Sequence, residues 1–183
     1  LNTGTLTTAG TAAIVGNVTL NGGSLSGAGT LTGDLTIAAP ASYNAGGLVQ
    51  TGNVTNNGTF NVATGNHSAG TVVNNGLLTV ADTRMLTATV GLTNNGIVNL
   101  GTGTAGSIAA TIAGDVTGGA NSELRLRNGA AGDSLTVTGN LTGTKTVYVD
   151  GALNVPGGGS VDTVVVNGNL DGDVTVRVRP VVN

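Results

Sequence analysis

The phrase Val-Thr-Asn-Asn-Gly-Thr-Phe-Asn-Val at 54–62 recurs as Val-Val-Asn-Asn-Gly-Leu-Leu-Thr-Val at 72–80 and as Leu-Thr-Asn-Asn-Gly-Ile-Val-Asn-Leu at 92–100. The Asn-Asn-Gly triplets begin at 56, 74 and 94, so the steps between them are nearly equal. On both sides of each triplet, apolar β-forming residues alternate with small polar ones, which predicts short, half-buried strands. The Asn-Gly step predicts a tight corner, since both residue types tolerate the positive φ that such a corner uses.

The three copies together predict a solenoid, in which similar units stack along one axis. A single unit has too small an apolar face to fold alone, whereas stacking gives each unit a neighbour above and below. A β-hairpin meander explains one copy but not three in nearly constant register. We therefore expect stacked corners whose side chains hydrogen-bond into a ladder. The residues predicted to form these corners are Asn56, Asn57, Gly58, Asn74, Asn75, Gly76, Asn94, Asn95 and Gly96.

A second phrase, Gly-Asn/Asp-Val/Leu-Thr, marks the start of successive units throughout the chain. Its copies start at 16, 33 and 52 in the first half and at 114, 139 and 168 in the second, so the units become longer along the chain. Units of about 20 residues suit three short strands and three corners, and about nine such rungs make a rod near 40 Å long. We predict one domain over 1–183, with lean rungs over 1–105 and longer rungs over 106–183.

Alternation also predicts which side chains point into the stack. We expect Thr, Ser and Asn to face outward and the apolar residues to face inward. The predicted inward set is Leu6, Val18, Leu20, Leu35, Ile37, Val54, Phe60, Val62, Leu78, Val80, Leu92, Val98 and Leu100, followed by Leu135, Val137, Val147, Val149, Val164, Val166, Val174, Val176 and Val178. The last group has the longest clean alternation, so we expect the C-terminal rungs to be the most stable part of the chain.

Composition excludes several classes of protein. Only 8% of the 183 residues are charged and 2% are aromatic, while glycine numbers 33 and cysteine is absent. Abundant β-branched residues argue against disorder, glycine has no three-residue period, and no apolar run is long enough for a membrane-spanning helix. A net charge of −3 with no basic cluster argues against nucleic-acid binding. Because the chain starts Leu-Asn-Thr-Gly without a signal peptide, we expect a mature or excised piece.

Three segments suggest catalysis or metal binding, and we favour a structural interpretation of each. Gly132-Asp133-Ser134 is similar to a serine-nucleophile motif, but nothing brings the single histidine, His67, near it. Gly157 to Asp162 matches a calcium-binding nonapeptide only partly, and it occurs once. Lys145 and Asp150 lie close in sequence, but a polysaccharide lyase also needs clustered carboxylates and aromatic platforms, and only Tyr43, Phe60 and Tyr148 are aromatic. We expect no catalytic residue, cofactor or metal.

The C-terminal phrases resemble a known family. Three segments, Gly132–Gly143, Ser160–Gly168 and Gly172–Val178, are similar to the C-terminal, autochaperone part of passenger domains in type V autotransporters of Gram-negative bacteria, and the Asn-Asn-Gly rungs are similar to the rest of such passengers. The resemblance implies an all-β, right-handed parallel β-helix exported through an outer-membrane barrel of the same precursor. Neither that barrel nor its linker helix lies in these residues, so we expect a passenger fragment whose last rungs assist folding.

The expected function follows from this resemblance and from the uncharged outer faces. We expect a non-enzymatic virulence protein, displayed at the bacterial surface or secreted, that mediates adhesion or self-association. Its partners would be a host cell-surface or matrix component, or another copy of itself, and not nucleic acid. One alternative is a secreted ligand for a host receptor, and a weaker one is a carbohydrate-active β-helix enzyme.

Overall fold

The computed structural model describes residues 1–10, 12–50, 52–100, 108–143, 146–152 and 159–181, with backbone alone for 48–50. Throughout these ranges the ordered elements are strands joined by turns and bends. No helix in them is long and apolar enough to cross a lipid bilayer. The prediction of an all-β chain is confirmed.

One sheet follows the chain from its first described strand to its last. Its path has nine strands in sequence order, and a tenth strand pairs with the second of them. The path strands are β1 (Thr5–Thr8), β4 (Ser24–Thr32), β6 (Ser42–Gln50), β8 (Thr59–Val62), β10 (Leu77–Val80), β12 (Ile97–Leu100), β15 (Glu123–Arg125), β18 (Thr146–Ala152) and β21 (Thr175–Val181), and β2 (Ala13–Val15) lies beside β4.

A second sheet has 11 strands and the same sequential order. Its path runs through β3 (Val18–Leu20), β5 (Leu35–Ile37), β7 (Val54–Asn56), β9 (His67–Asn74), β11 (Met85–Asn94), β13 (Ala109–Ala113), β16 (Ser134–Val137) and β19 (Thr163–Val166), and a branch from β11 runs through β14 (Val116–Gly118), β17 (Leu141–Thr142) and β20 (Leu170–Asp171). Each described strand pair in the two sheets is parallel, as the stacking prediction requires.

The long strands bend, and each of their two halves has its own neighbour. In β11 the register shifts between Ala88 and Gly91; the first half then pairs with β13 and the second with β14. In β4 a similar shift falls between Gly27 and Gly29, whose φ values are 120° and 126°. Only glycine adopts this left-handed region without strain, so these residues supply the bends.

Apolar side chains stack in columns inside the two sheets. One inner column follows the strand register through Leu25, Tyr43, Phe60, Leu78, Val98, Leu124 and Val147, all of which are buried. Val54, Phe60, Val62, Leu78, Val80, Leu92, Val98 and Leu100, predicted from the three copies, are each 2% exposed or less. This part of the predicted register is therefore confirmed, since a slip of one residue would have turned these side chains outward.

The same inner column becomes exposed at both ends, so positions predicted to point inward are not buried there. Leu6 pairs with Leu25 but is 43% exposed, and Val176 pairs with Val147 but is 59% exposed. Val178 is exposed as well. Within the described residues, β1 and β21 each pair on one side only, so an inward position there is not covered. Val176 and Val178 face a concave apolar space of about 300 Å³ that β18, β19 and β21 help to line.

Candidate functional site

The first Asn of each triplet belongs to a buried ladder that joins three units. Asn56 Nδ2 donates to Oδ1 of Asn74 at 2.7 Å, and Asn74 Nδ2 donates to Oδ1 of Asn94 at 2.8 Å. The same amides also donate to main-chain carbonyls of the next unit, at Leu77 and Ile97. All three asparagines are 0% exposed. Burial without these bonds would be costly, so the ladder fixes how each unit sits on the next.

The second Asn of each triplet forms a parallel ladder on the surface. Asn75 Nδ2 donates to Oδ1 of Asn57, and Asn95 Nδ2 donates to Oδ1 of Asn75, both at 2.8 Å. These three side chains are exposed. The structure thus places all six predicted asparagines at stacked corners, with one ladder inside and one outside.

The glycine of each triplet is needed for a different reason from the one that the sequence suggested. The backbone at Gly58, Gly76 and Gly96 does not have a left-handed φ. Instead, a Cβ atom on Gly76 would collide with the carbonyl oxygen of Gly58, and one on Gly96 would collide with that of Gly76. The expectation of positive φ at these corners was wrong, because close approach of stacked backbones, and not backbone conformation, excludes a side chain.

The second sequence phrase builds another corner column. The side-chain oxygen of its Asn or Asp accepts a hydrogen bond from the main-chain N–H at the same position one unit later. Asn17, Asp34 and Asn53 accept in this way at 2.8–2.9 Å, and so do Asp115 and Asn140 further along the chain. This contact explains why the phrase recurs with either Asn or Asp, since both offer an Oδ1 acceptor.

His67 lies in the interior, at the start of β9. It is 1% exposed, and its ring packs edge-on against Tyr43 and Phe60 with centroids 5.5 and 5.2 Å away. Tyr43 and Phe60 stack on each other at 5.3 Å. Burial raises the pKa of the Tyr43 hydroxyl above its usual range. This aromatic cluster fills the core where the inner column holds its largest side chains.

The candidate nucleophile is not brought to the histidine. Ser134 begins β16, and β11 and β13 lie between that strand and β9, which contains His67. Three strand spacings amount to roughly 14 Å, which is far beyond hydrogen-bond reach. Lys145, the candidate base of a lyase, lies outside the described residues.

Three buried aspartates lie close together: Asp133 just before β16, Asp150 within β18 and Asp162 just before β19. Asp162 accepts hydrogen bonds from the N–H groups of Gly132, Asp133 and Asp150, while Asp133 Oδ1 accepts one from Ile108. Burial raises the pKa of Asp133 and of Asp162, and repulsion from the Asp150 carboxylate raises both pKa values further. The N–H donors act in the opposite direction, but they do not cancel the effect of burial. These bonds occupy the oxygens of Asp162, and no group of three acidic or histidine side chains in the described ranges is arranged to hold a metal ion. Gly157 and Gly158 of the calcium-like segment lie outside those ranges.

Four arginines lie near Tyr148 on the outer face of the first sheet, three of them against its ring. The guanidinium carbons of Arg125, Arg127 and Arg177 lie 5.6, 5.2 and 6.0 Å from the centre of the Tyr148 ring. Arg179 forms a bidentate ion pair with Asp150, with nitrogen–oxygen distances of 2.7 and 2.6 Å. We call Arg125, Arg127, Tyr148, Arg177 and Arg179 the arginine cluster. Four of these residues line a concavity of about 290 Å³: Arg125, Arg127, Tyr148 and Arg179.

Asp150 holds part of this arrangement in place. Although burial alone would raise its pKa, hydrogen bonds from Arg179 and Gly129 and the charges of Arg179 and Arg127 lower the pKa of the Asp150 carboxyl below its usual value. Asp150 therefore stays ionised at neutral pH and fixes the Arg179 fork. Bidentate contact of this kind restricts an arginine more than a single bond does.

The sequence contains a signal for this cluster that composition alone conceals. The pairs Arg125-x-Arg127 and Arg177-x-Arg179 occupy alternate positions of strand-like segments, so both members of each pair face one side. Only the strand register shows that Arg125, Tyr148 and Arg177 are direct neighbours, because they belong to different units and lie far apart in the chain.

The cluster ends a continuous row of polar side chains on the same outer face. In strand register, this row contains Thr7, Ser26, Asn44, Asn61, Thr79, Asn99, Arg125, Tyr148 and Arg177. All nine are exposed or half-buried. We call this row the outer column; it offers hydrogen-bonding groups at intervals of about 4.8 Å.

Comparisons with known proteins identify no relative of this chain. No protein-family model matches it, and no curated protein and no solved structure matches it either.

Proposed function

We propose that this chain is part of a right-handed parallel β-helix of about nine rungs from a type V autotransporter passenger, displayed at the bacterial surface or secreted. Its role is to adhere to host cells or matrix, or to other copies of itself, without catalysis. The phrases at the C-terminal end and the sequential order of parallel strands support this proposal.

The outer column is the observation that carries the functional part of the proposal. It sets polar side chains in one continuous row across paired strands, from Thr7 to Arg177. Individual hydrogen bonds at a wet surface contribute little, but a row of them acting on one extended partner adds up through multivalency. The face suits broad, repetitive contact better than recognition of one small substrate.

Beads coated with the purified chain test the proposal in two assays, adherence to cultured host cells and clumping of the beads. We expect at least one of these activities, and we expect Thr79→Asp together with Asn99→Asp to reduce it, since both residues lie on the outer column. Val90→Asp is the matched control because Val90 is 74% exposed in β11 of the other sheet. The proposal would be contradicted if the unmodified chain showed neither adherence nor clumping, or if it cleaved a polysaccharide.

A further inference from the structure

The arginine cluster contains more guanidinium groups than ion-paired carboxylates. Arg125 pairs with Glu123 at 2.6 Å and Arg179 pairs with Asp150, so two of the four guanidinium groups have a carboxylate. Arg127 and Arg177 form no ion pair with a described residue. Four guanidinium groups thus have two ion-paired carboxylates among the described residues, in a chain whose net charge is −3.

One donor in the cluster is both buried and unused. The Nε atom of Arg127 is shielded from solvent and has no hydrogen-bond partner among the described residues. A buried N–H of a charged group without a partner is costly, and such an exception calls for a ligand or another explanation. Arg127 also lines the concavity of about 290 Å³, so an anion entering there meets this side chain, although Nε itself is covered.

The arginines are held in position before any ligand arrives. The Tyr148 ring lies against three guanidinium groups, which it attracts through its negative face. Asp150 fixes Arg179 through two bonds. Preorganisation of this kind lowers the entropy cost of binding, so a small group of arginines can bind an anion well.

The rest of the outer column indicates what carries the anion. Beyond Arg125 the column continues through the neutral residues Asn99, Thr79, Asn61 and Asn44. Their side chains can both donate and accept hydrogen bonds, so they can pair with the hydroxyl groups of a ligand. No aromatic face is offered to nucleic-acid bases, because guanidinium groups lie against Tyr148, the aromatic residue of this site. No apolar side chain in this row would enter a lipid surface. A linear chain rich in hydroxyls with anionic groups matches both parts of the column.

We infer that the arginine cluster and the outer column form a binding site for an anionic polysaccharide, with its sulfate or carboxylate groups at Arg127 and Arg177 and its hydroxyl groups along Asn99, Thr79 and Asn61. This inference rests on the proposed function for its setting at a cell surface. It goes further in naming the ligand chemistry and the residues that recognise it.

Binding of the full chain to four immobilised polymers tests the inference: heparin, which is sulfated; hyaluronan, which has carboxylates only; neutral dextran; and duplex DNA. We expect binding to heparin, to hyaluronan or to both, and the stronger of the two identifies the anion. Arg127→Gln with Arg177→Gln should weaken it by about tenfold or more and reduce its salt dependence, because two charge-assisted contacts are lost. Arg84→Gln is the matched control, since Arg84 lies in the turn before β11.

A second variant separates the polysaccharide from a simple anion. Thr79→Ala with Asn99→Ala should weaken binding of the polymer but leave the thermal stabilisation by inorganic sulfate unchanged. Three results would overturn the inference. DNA could bind as tightly as the polysaccharides, Arg84→Gln could weaken polysaccharide binding as much as the double variant does, or neither anionic polysaccharide could bind. In the last case, bead adherence that persists would show that the proposed function stands and that its ligand lies elsewhere.

Discussion

The side-chain amide nitrogen of Asn56 lies 2.7 Å from Oδ1 of Asn74, and this buried hydrogen bond joins two consecutive units directly. Asn74 repeats the contact with Asn94, so one residue both accepts from the unit before it and donates to the unit after it. Its amide also reaches the carbonyl oxygen of Ile97 at 2.9 Å. The interior of the stack is therefore not purely apolar, and its polar part specifies the register.

Replacing Asn74 by Ala should destabilise the chain by roughly 2 kcal/mol or more, because it leaves the Ile97 carbonyl and Asn94 Oδ1 buried without their donor. Chemical denaturation measures the loss. Asn75→Ala is the control, since it removes the exposed ladder one residue away, and we expect it to cost less than about 1 kcal/mol. Equal costs for the two variants would show that burial of the inner ladder is not what stabilises the corner.

Gly76→Ala tests whether close backbone approach explains the glycine that all three copies share. The added methyl group would meet the carbonyl oxygen of Gly58, which cannot move without displacing a whole unit, so we expect a cost of several kcal/mol and loss of cooperative unfolding. Gly10→Ala is the comparison, because Gly10 has a φ of 63° and open space around it. Its conformational penalty alone is about 1 kcal/mol. A Gly76→Ala variant as stable as Gly10→Ala would refute the steric explanation.

The interior of the stack could be predicted from the sequence because alternation at period two decides which side of a strand is buried. Val54, Phe60 and Leu78 follow that rule and are each 0% exposed. The rule failed at Leu6 and Val176, since a local pattern cannot tell whether a further unit covers a position. At Gly76 the sequence correctly indicated a glycine at a corner but not the reason for it. A glycine needed for a positive φ and one needed for close backbone approach look the same in a sequence.

The arginine cluster could not be predicted in this way. Arg125, Tyr148 and Arg177 come together only if two long units of unequal length stack in one particular register. The repeat is least regular in that part of the chain, so spacing alone leaves the register open. The three asparagine copies, by contrast, set their own register, because identical side chains at matching positions pair with one another.

The three buried aspartates should make stability depend on pH in a definite direction. The pKa values of Asp133 and Asp162 are raised above the value of about 3.9 expected in the unfolded chain. At pH values between about 3.9 and the raised pKa, the folded state therefore binds more protons than the unfolded state. Stability should therefore increase as pH falls from neutral towards 4. The Asp150 pKa is lowered, so its contribution is present above about 3.9 and is lost below it.

Asp133→Asn should reduce the gain in stability between pH 7 and pH 4.5 by about 1.4 kcal/mol for each pH unit by which the Asp133 pKa exceeds 4.5. Denaturation at several pH values measures this difference. Asp173→Asn is the matched control, because it removes one carboxylate that is exposed. A wild-type chain whose stability falls steadily from pH 7 to pH 4.5 would contradict the assignment of raised pKa values to Asp133 and Asp162.

The last prediction concerns which end of the stack supports the other. Val176→Asp should have little effect, because Val176 is 59% exposed, and this revises the expectation that it is a core position. Val137 in β16 and Leu20 in β3 are each 0% exposed, so Asp at either site buries an unpaired carboxylate at a similar cost of several kcal/mol. If the C-terminal units template the weaker, glycine-rich units before them, Val137→Asp should abolish hydrogen-exchange protection along the whole chain. Leu20→Asp should then lose protection only in β1 to β5. Local loss of the same extent in both variants would show that neither end has a special role in folding.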